Sequence, residues 1–220
     1  MWTLRNQTGP SASCTCRPGI TRRQWPAHSG IGKTLVTSAM LDRVGQSLGR
    51  PVLEVPVGFK WFVPYLRDGS CGLACEESAG ASFLCFDGSP WSTDKDGPLM
   101  CLLAAEMMAV EQASPSELYE RLAERLGRPV YQRLDAPADD DVRAALAAVR
   151  PEDVPTRAPG NDAPMGGVKV VSEDGWFAVR PSGTEPICKV YTESFKGEEH
   201  LCALQKDALG FLERLLKRGA

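Results

Sequence analysis

An arginine, two hydroxyl residues and a glycine lie within five positions of each other in the segment Arg180–Pro186 (RPSGTEP). The segment follows the apolar run GWFAV and precedes ICKVY, so it is predicted to be a short loop between two strands. A phosphate or carboxylate is bound by a forked arginine, hydroxyl donors and exposed backbone N–H groups. Arg180, Ser182, Gly183 and Thr184 supply these groups, which favours an anion site; a structural turn is the alternative.

Two further polar segments carry groups that suit a sugar. The segment 75–80 (CEESAG) places two acids and a serine between small residues, which permit close approach of a ligand. Carboxylates and a hydroxyl can hydrogen-bond the neighbouring hydroxyls of a sugar. The segment 92–97 (STDKDG) places Lys95 between two aspartates, just before a predicted helix. Taken alone, the first segment is equally a plain polar turn and the second a solvated helix cap.

Two other motifs resemble known sites without meeting their requirements. Gly30–Thr34 (GIGKT) resembles the end of a phosphate-binding loop, but that pattern needs a glycine where Ala27 stands and a strand before it. A strand or a helix start is therefore expected there. Asp139–Asp141 are consecutive, and consecutive residues of a helix cannot all face one metal ion. They come at the start of a predicted helix near 139–149, where they compensate its dipole.

The elements that must position these residues follow from periodicity in the first half of the chain. TLVTSAMLDRVGQSLG predicts a helix with Leu41, Val44 and Leu48 on one face, capped by Thr37 or Ser38 and stopped by Gly49. VLEV at 52–55 predicts a short buried strand, and GFKWFVPYL a short helix or turn interrupted at Pro64. PLMCLLAAEMMAV predicts a buried apolar helix, followed by a capping box at Ser114–Glu117 and a helix ended by Gly127.

The last ninety or so residues show a different pattern. GVKVV, WFAVR and ICKVYTE predict three strands, with SEDG as a hairpin turn between the first two. The segment EEHLCALQKDALGFLERLLKR predicts a closing amphipathic helix with acids at its start and bases at its end. An α/β part followed by an α+β part is therefore expected.

Composition narrows the class of protein. The 220 residues are 43% hydrophobic, enough for one or two globular domains. The net charge is −3 and the charges are dispersed, which argues against nucleic acid or a membrane surface as partners. No apolar run is long enough to span a membrane, and the N-terminus lacks the apolar core of a secretory signal. The eight scattered cysteines are not at zinc-finger spacing, and they predict reduced, mostly buried thiols in a cytoplasmic protein.

Taken together and in this order, the segments resemble the α-D-phosphohexomutase superfamily, in particular its bacterial glucose-phosphate-specific phosphoglucomutase branch. The matching pieces are GKTLVTSAMLDRV, LEVPVGFKWF, CEESAGASF, PWSTDKDG and GWFAVRPSGTEP. The resemblance covers residues 21 to 220. It implies an α/β fold over 21–128, corresponding to part of the family's third domain, and a TATA-binding-protein-like α+β C-terminal domain over 129–220. Residues 1–20 are expected to be an unrelated or disordered segment.

The resemblance also implies an activity and a site. Members of the family are intramolecular phosphotransferases of the isomerase class. They interconvert glucose 1-phosphate and glucose 6-phosphate through glucose 1,6-bisphosphate, with magnesium held by another domain. Carried over by motif, Lys95 is the catalytic acid/base or phosphate-steering residue. The sugar contacts implied are Gly58, Glu76 and Ser78, and the phosphate clamp implied is Arg180, Ser182, Gly183, Thr184 and Lys189.

Two family motifs have no counterpart in these 220 residues. They are the nucleophilic serine loop of the T-A-S-H-N-P type and the metal loop of the D-G-D-x-D-R type. Covalent phosphoryl transfer needs both the nucleophile and charge neutralisation by a metal. We therefore expect no metal bound by visible motifs and little or no mutase activity by the chain alone. The alternatives are a non-catalytic hexose-phosphate-binding module, or a module that complements a separate N-terminal fragment.

Overall fold

The computed structural model describes residues 25–26, 28–85, 87–137, 140–147, 149, 158–182 and 186–219. The chain forms two compact units. Unit 1 comprises the chain up to Gly127 together with Pro159–Asn161, and unit 2 comprises Arg128–Ala158 and the chain from Asp162 onward. The prediction for residues 1–20 lies outside the described residues.

Unit 1 is built on a four-stranded mixed sheet. Its strands are β1 (Gly30–Thr34), β2 (Val52–Val55), β3 (Cys71–Cys75) and β4 (Ala81–Phe83), in the order β2-β1-β3-β4. β1 runs parallel to β2 and β3, whereas β4 is antiparallel to β3. Every residue of β1 and β3 is buried, as the two central strands of a covered sheet require. GIGKT therefore forms a strand and not a phosphate loop, and VLEV forms an edge strand in which Val55 alone is fully buried.

Apolar side chains cover both faces of this sheet. On one face the core consists of Val55, Phe59, Phe62, Leu66, Cys71 and Ala74. On the other, α1 packs its buried Leu41 and Val44. The helices of unit 1 are α1 (Met40–Leu48), a 3-10 helix (Phe59–Phe62), α2 (Val63–Arg67), α3 (Gly97–Glu111) and α4 (Pro115–Leu126).

The helix boundaries follow local chemistry. Gly49 ends α1 in the left-handed conformation, and the Ser38 hydroxyl accepts a hydrogen bond from the Met40 N–H at its start. Ser114 and Glu117 form the predicted capping box of α4, with Pro115 at its first turn. The predicted stop at Gly49 and the capping box at 114–117 are thus confirmed. The predicted cap at Thr37 or Ser38 is wrong, because the N-cap residue of α1 is Ala39, which makes no side-chain capping hydrogen bond.

The prediction that α3 is buried is wrong. Leu103 and Met107 are its buried residues, whereas Leu102 is 69% exposed and Val110 52% exposed. The helix is apolar around most of its circumference, so periodicity alone could not show how little of it the sheet covers. Asp96 caps its start by accepting from the Leu99 N–H.

Unit 2 is an antiparallel sheet covered on one face by helices. The strands are β5 (Val130–Pro137), β6 (Val168–Ser172), β7 (Gly175–Pro181) and β8 (Ile187–Ser194), in the order β5-β8-β7-β6. The helices α5 (Asp140–Ala147) and α6 (Glu198–Gly219) pack on the face that carries Val179 and Val190. The three predicted strands, the SEDG turn and the closing helix are confirmed.

The described cysteines divide by exposure. Cys71, Cys75 and Cys188 are buried, whereas Cys101 on α3 and Cys202 on α6 are exposed. Burial is the main reason that the pKa of the Cys71 thiol is raised to about 12 and that of Cys188 to about 11.

Acidification is expected to destabilise unit 1 at its helix caps. N–H groups of Leu99 and Trp91 hold the pKa of Asp96 below its ordinary value, and those of Ser114, with its hydroxyl, do the same for Glu117. A carboxylate whose pKa is lowered by folding stabilises the folded state when the pH is above its ordinary pKa near 4. This stabilisation is lost as the pH falls through the pKa of the folded state. The melting temperature should therefore stay level down to about pH 5 and then fall.

The variant Asp96→Asn provides the control for this prediction. Asparagine caps a helix as well as aspartate but does not titrate. Thermal melts should be recorded from about pH 7 to about pH 3, which covers the range where carboxylates titrate. The fall in melting temperature on acidification should be smaller for Asp96→Asn than for the unmodified chain. Parallel curves for the two proteins would contradict a role for the Asp96 cap.

Candidate functional site

The loops that follow β2 and β3 leave the sheet of unit 1 at one edge, because both strands run parallel to β1. The first loop contains Gly58, whose φ of 126° and ψ of 124° favour glycine. Its carbonyl accepts a hydrogen bond from the Trp61 N–H at 3.2 Å, which starts the 3-10 helix. The second loop begins at Glu76, directly after β3. The strand topology therefore brings two predicted sugar-binding segments to the same edge.

The segment CEESAG forms a tight turn between β3 and β4. The Glu76 N–H donates to the Gly80 carbonyl at 2.8 Å, and the Ala79 N–H donates to the Glu76 carbonyl at 3.2 Å. Ala79 adopts a φ of 67°, in the left-handed region. The Glu76 residue is buried, with 6% of its surface exposed, whereas Ser78 is exposed. The turn thus fixes one carboxylate and presents one hydroxyl to solvent.

Lys95 lies beside this carboxylate. Its Nζ is 3.5 Å from Oε2 of Glu76, and the lysine side chain is 55% exposed. The Asp96 N–H donates to the Ala81 carbonyl at 2.9 Å, which holds the STDKDG loop against β4. A Cβ at Gly80 would lie 2.8 Å from Cδ of Lys95, so the glycine makes room for the lysine stem.

The arrangement of Lys95 and Glu76 can bind and orient hydroxyl groups. The ammonium group is a donor and a cation, and the buried carboxylate is an acceptor held in place by its turn. The helix-cap alternative for STDKDG also holds, but for a different residue, since Asp96 caps α3 while Lys95 turns towards Glu76. The two segments were predicted separately, and the ion pair between them was missed.

In unit 2, Arg180 and Lys189 are directly opposite each other on β7 and β8, and Asp135 of β5 is opposite Lys189. Paired residues share a face, and this is the face opposite to Val179 and Val190, where the helices pack. Nε of Arg180 is buried and makes no hydrogen bond within the described part of the chain. The site therefore contains a guanidinium N–H whose natural partner is an anion.

The loop after β7 is closed at its base. The Ser182 N–H donates to the Ile187 carbonyl at 2.8 Å, and Ser182 is 8% exposed. Gly183 and Thr184, the other predicted members of the clamp, lie outside the described residues. Two cations and the buried serine thus meet at one end of the β7–β8 hairpin.

Two buried charged clusters were missed by sequence reasoning. Lys33 of β1 forms ion pairs with Glu54 at 3.0 Å and with Asp42 of α1. In unit 2, Lys169 Nζ lies 4.7 Å from the ring centroid of Trp176, whose indole N–H donates to Glu193 at 2.7 Å. Strand alternation in GVKVV places Lys169 away from the apolar core, and a solvent-facing position would be the ordinary expectation, yet the residue is buried.

Two further features are absent from the described residues. Within those ranges, no three His, Cys, Asp or Glu side chains are grouped so that they could hold a metal ion. None of the helices within those ranges combines the length and the apolar character needed to cross a bilayer.

Comparison with known proteins identifies the two units. The family model for phosphoglucomutase/phosphomannomutase alpha/beta/alpha domain III matches residues 17–126. The model for the C-terminal domain of the same family matches residues 130–209. Phosphoglucomutase from Komagataeibacter xylinus is 49% identical over 212 residues, covering 90% of this chain and 38% of that protein.

Solved structures show the same fold. A phosphoglucomutase/phosphomannomutase family protein from Burkholderia thailandensis matches with a TM-score of 0.67 at 21% identity, covering 97% of this chain and 41% of that one. Aspergillus fumigatus N-acetylphosphoglucosamine mutase, in complex with GlcNAc-6P and magnesium, matches with a TM-score of 0.55 at 12% identity, covering 98% and 47%.

The chain thus spans about two fifths of the length of the relatives it matches. Its mixed sheet and its antiparallel sheet correspond to two consecutive family domains. The protein belongs to the phosphoglucomutase/phosphomannomutase family, of which it carries domain III and the C-terminal domain.

Proposed function

We propose that the chain binds a hexose phosphate and forms the sugar-binding and phosphate-binding part of a phosphoglucomutase that interconverts glucose 1-phosphate and glucose 6-phosphate. Residues 21–128 would form the sugar-binding domain, as part of domain III, and residues 129–220 the phosphate-binding domain. The observation that carries the proposal is the buried Nε of Arg180, which makes no hydrogen bond within the described residues and lies opposite Lys189. An anionic group on the ligand would satisfy it.

The sugar contacts are assigned to the sheet edge of unit 1. Glu76 would accept hydrogen bonds from sugar hydroxyls, and the exposed Ser78 would donate or accept. The backbone at Gly58 would approach the ring closely, since no side chain intervenes. Lys95 would act near the reacting oxygen, as the acid/base or as the cation that steers the phosphate, because its ammonium group is exposed and held beside Glu76.

The phosphate contacts are assigned to unit 2. Arg180 and Lys189 would neutralise the phosphate that does not react, and Ser182, Gly183 and Thr184 would donate hydrogen bonds to its oxygens. Charge-assisted bonds to a planar guanidinium add geometric specificity to the attraction between charges.

We also propose that the chain alone turns over hexose phosphates slowly or not at all. The serine nucleophile loop and the metal loop of the family have no counterpart in the 220 residues. Glucose 1,6-bisphosphate and magnesium would belong to a complete enzyme, in which the ion neutralises charge on the transferred phosphoryl group. The 38% coverage of the Komagataeibacter protein supports this reading. The same coverage also fits a module that complements a separate N-terminal fragment.

Two measurements on the purified chain test the proposal. Titration calorimetry with glucose 6-phosphate should detect binding at millimolar ligand, and a coupled assay should detect no glucose 1-phosphate turnover. Glu76→Gln should weaken binding, whereas Glu124→Gln, an equal charge change at an exposed position on α4, should not. No heat with the unmodified chain would refute the binding function, and robust turnover would refute the inactivity.

A further inference from the structure

Gly167 lies against the backbone of Arg180. β6 begins at Val168, which is paired with Val179, so the same register places position 167 opposite Arg180. A Cβ at Gly167 would overlap the Val179 carbonyl oxygen, and it would lie 2.8 Å from Cβ and 3.0 Å from Cα of Arg180. Because Cβ atoms do not approach backbone this closely, any larger residue at 167 must change the spacing between its own segment and β7 at the arginine.

The position of Arg180 decides which edge of its guanidinium group can bind an anion. Nε–H and the adjacent Nη–H form one forked edge that donates hydrogen bonds to two oxygens of the same anion. Nε is buried and has no hydrogen-bond acceptor within the described ranges. A buried N–H without an acceptor is unfavourable, and an oxyanion that accepts from it would remove that cost.

The row of residues across the sheet at this level is asymmetric. Asp135, Lys189 and Arg180 follow one another on β5, β8 and β7, and Gly167 is next to Arg180 at the start of β6. Lys189 therefore flanks Arg180 on one side, and no side chain from position 167 flanks it on the other. Gly167 packs directly against the point where the stem of Arg180 begins.

We propose that Gly167 is a positioning residue for the anion site. Its missing side chain lets β6 pack closely on β7, which holds Arg180 so that its Nε–H edge faces the bound oxyanion of a phosphate monoester or of inorganic phosphate. The identity of the ligand rests on the proposed function, but the position of Arg180 can be measured without any ligand.

The competing explanation is that Gly167 merely allows the strands to pack. Gly175, at the other end of β7, provides a matched control, since a Cβ there would lie 2.6 Å from the Glu193 carbonyl oxygen and 2.7 Å from Cδ1 of Leu204. Gly175→Ala therefore introduces the same methyl group and a similar clash with strand backbone, remote from Arg180. A purely structural role predicts similar behaviour of the two variants.

The experiment uses the full chain with Gly167→Ala and Gly175→Ala. NMR would follow hydrogen exchange of the Arg180 Nε–H, assigned by its loss in Arg180→Lys, and calorimetry would measure the Kd for inorganic phosphate. In Gly167→Ala, exchange should become about tenfold faster and phosphate binding about tenfold weaker, which equals about 1.4 kcal/mol. In Gly175→Ala, both quantities should stay within about twofold of the unmodified chain.

The outcomes separate this inference from the function on which it rests. Unchanged exchange and affinity in Gly167→Ala, or equal changes in both variants, would overturn it. If the unmodified chain binds no phosphate but exchange changes as expected, the proposed function fails while the placement of Arg180 by Gly167 stands.

If Gly167→Ala does not fold, the unmodified chain decides. Its Arg180 Nε–H must exchange more slowly than that of Arg214, an exposed arginine of α6. The Arg180 resonance must also shift when phosphate is added. Fast exchange of the Arg180 Nε–H refutes the inference, whereas the absence of a phosphate shift alone counts against the proposed function.

Discussion

Arg180→Ala is expected to weaken the binding of glucose 6-phosphate roughly 100-fold, since a hydrogen bond to a charged group contributes about 1.5–3 kcal/mol. The reason is the pairing in the sheet. Arg180 is opposite Lys189, and its buried Nε makes no hydrogen bond within the described residues. Lys189 alone would retain part of the attraction as a point charge, without the forked geometry. Titration calorimetry on both proteins measures the loss.

Arg214→Ala is the control for charge. Arg214 is an exposed arginine of α6, which packs on the opposite face of the sheet. Its removal changes the net charge by the same amount and should leave the Kd unchanged. Equal weakening by the two substitutions would show that general attraction between charges accounts for binding, and not a site at Arg180.

Lys33→Met is expected to lower the free energy of unfolding of unit 1 by about 3–5 kcal/mol, the usual cost of removing one partner of a buried ion pair. The Lys33 side chain is 2% exposed, and that of Glu54, 3.0 Å away, is 13% exposed. Methionine would leave the Glu54 carboxylate largely buried without its cation. Urea denaturation followed by tryptophan fluorescence measures the loss, since Trp25, Trp61 and Trp91 lie in unit 1.

The pKa of Lys33 predicts how the stability lost in Lys33→Met should depend on pH. Burial lowers this pKa, but the carboxylates of Glu54 and Asp42 outweigh burial and raise it above its ordinary value. A raised pKa contributes stability that is complete below the ordinary value near 10.4 and is lost as pH rises through the folded value. The difference between the unmodified chain and Lys33→Met should therefore persist at least to about pH 10.

Lys196→Met separates a buried pair from a surface pair. Lys196 contacts Asp174 at 2.6 Å, but its side chain is 61% exposed. Water and salt weaken such a pair, so its loss should scarcely move the urea midpoint. A loss as large as that of Lys33→Met would contradict the distinction between the two sites.

Local signals in the sequence were sufficient for much of the fold. Gly49 and the Ser114–Glu117 box mark helix ends because their chemistry acts within one turn of the chain. The hairpin at SEDG and the strands around it follow from alternation. The exposed face of α3 could not be predicted, because Leu102 and Val110 are apolar. Their exposure depends on what packs against the helix and not on the residue types of the helix itself.

The candidate site shows the same division. Glu76, Lys95, Arg180 and Lys189 were predicted as site residues from the motifs that contain them. Their pairing was not, because Lys95 reaches Glu76 across 19 positions of sequence through the turn at Gly80. The approach of Gly167 to Arg180 depends likewise on strand register, which no single segment encodes.

The division of the cysteines into buried and exposed thiols has a practical consequence for site-specific labelling. With its pKa raised to about 12, Cys71 is almost wholly protonated at neutral pH, and a protonated thiol reacts poorly with maleimides. Cys101 and Cys202 are exposed, and they lie on α3 of unit 1 and α6 of unit 2. After Cys14, Cys16 and Cys85 are replaced by serine, these two thiols would be natural attachment points for a donor and an acceptor dye. Energy transfer between the dyes would report whether the distance between these two thiols changes when a sugar phosphate is added.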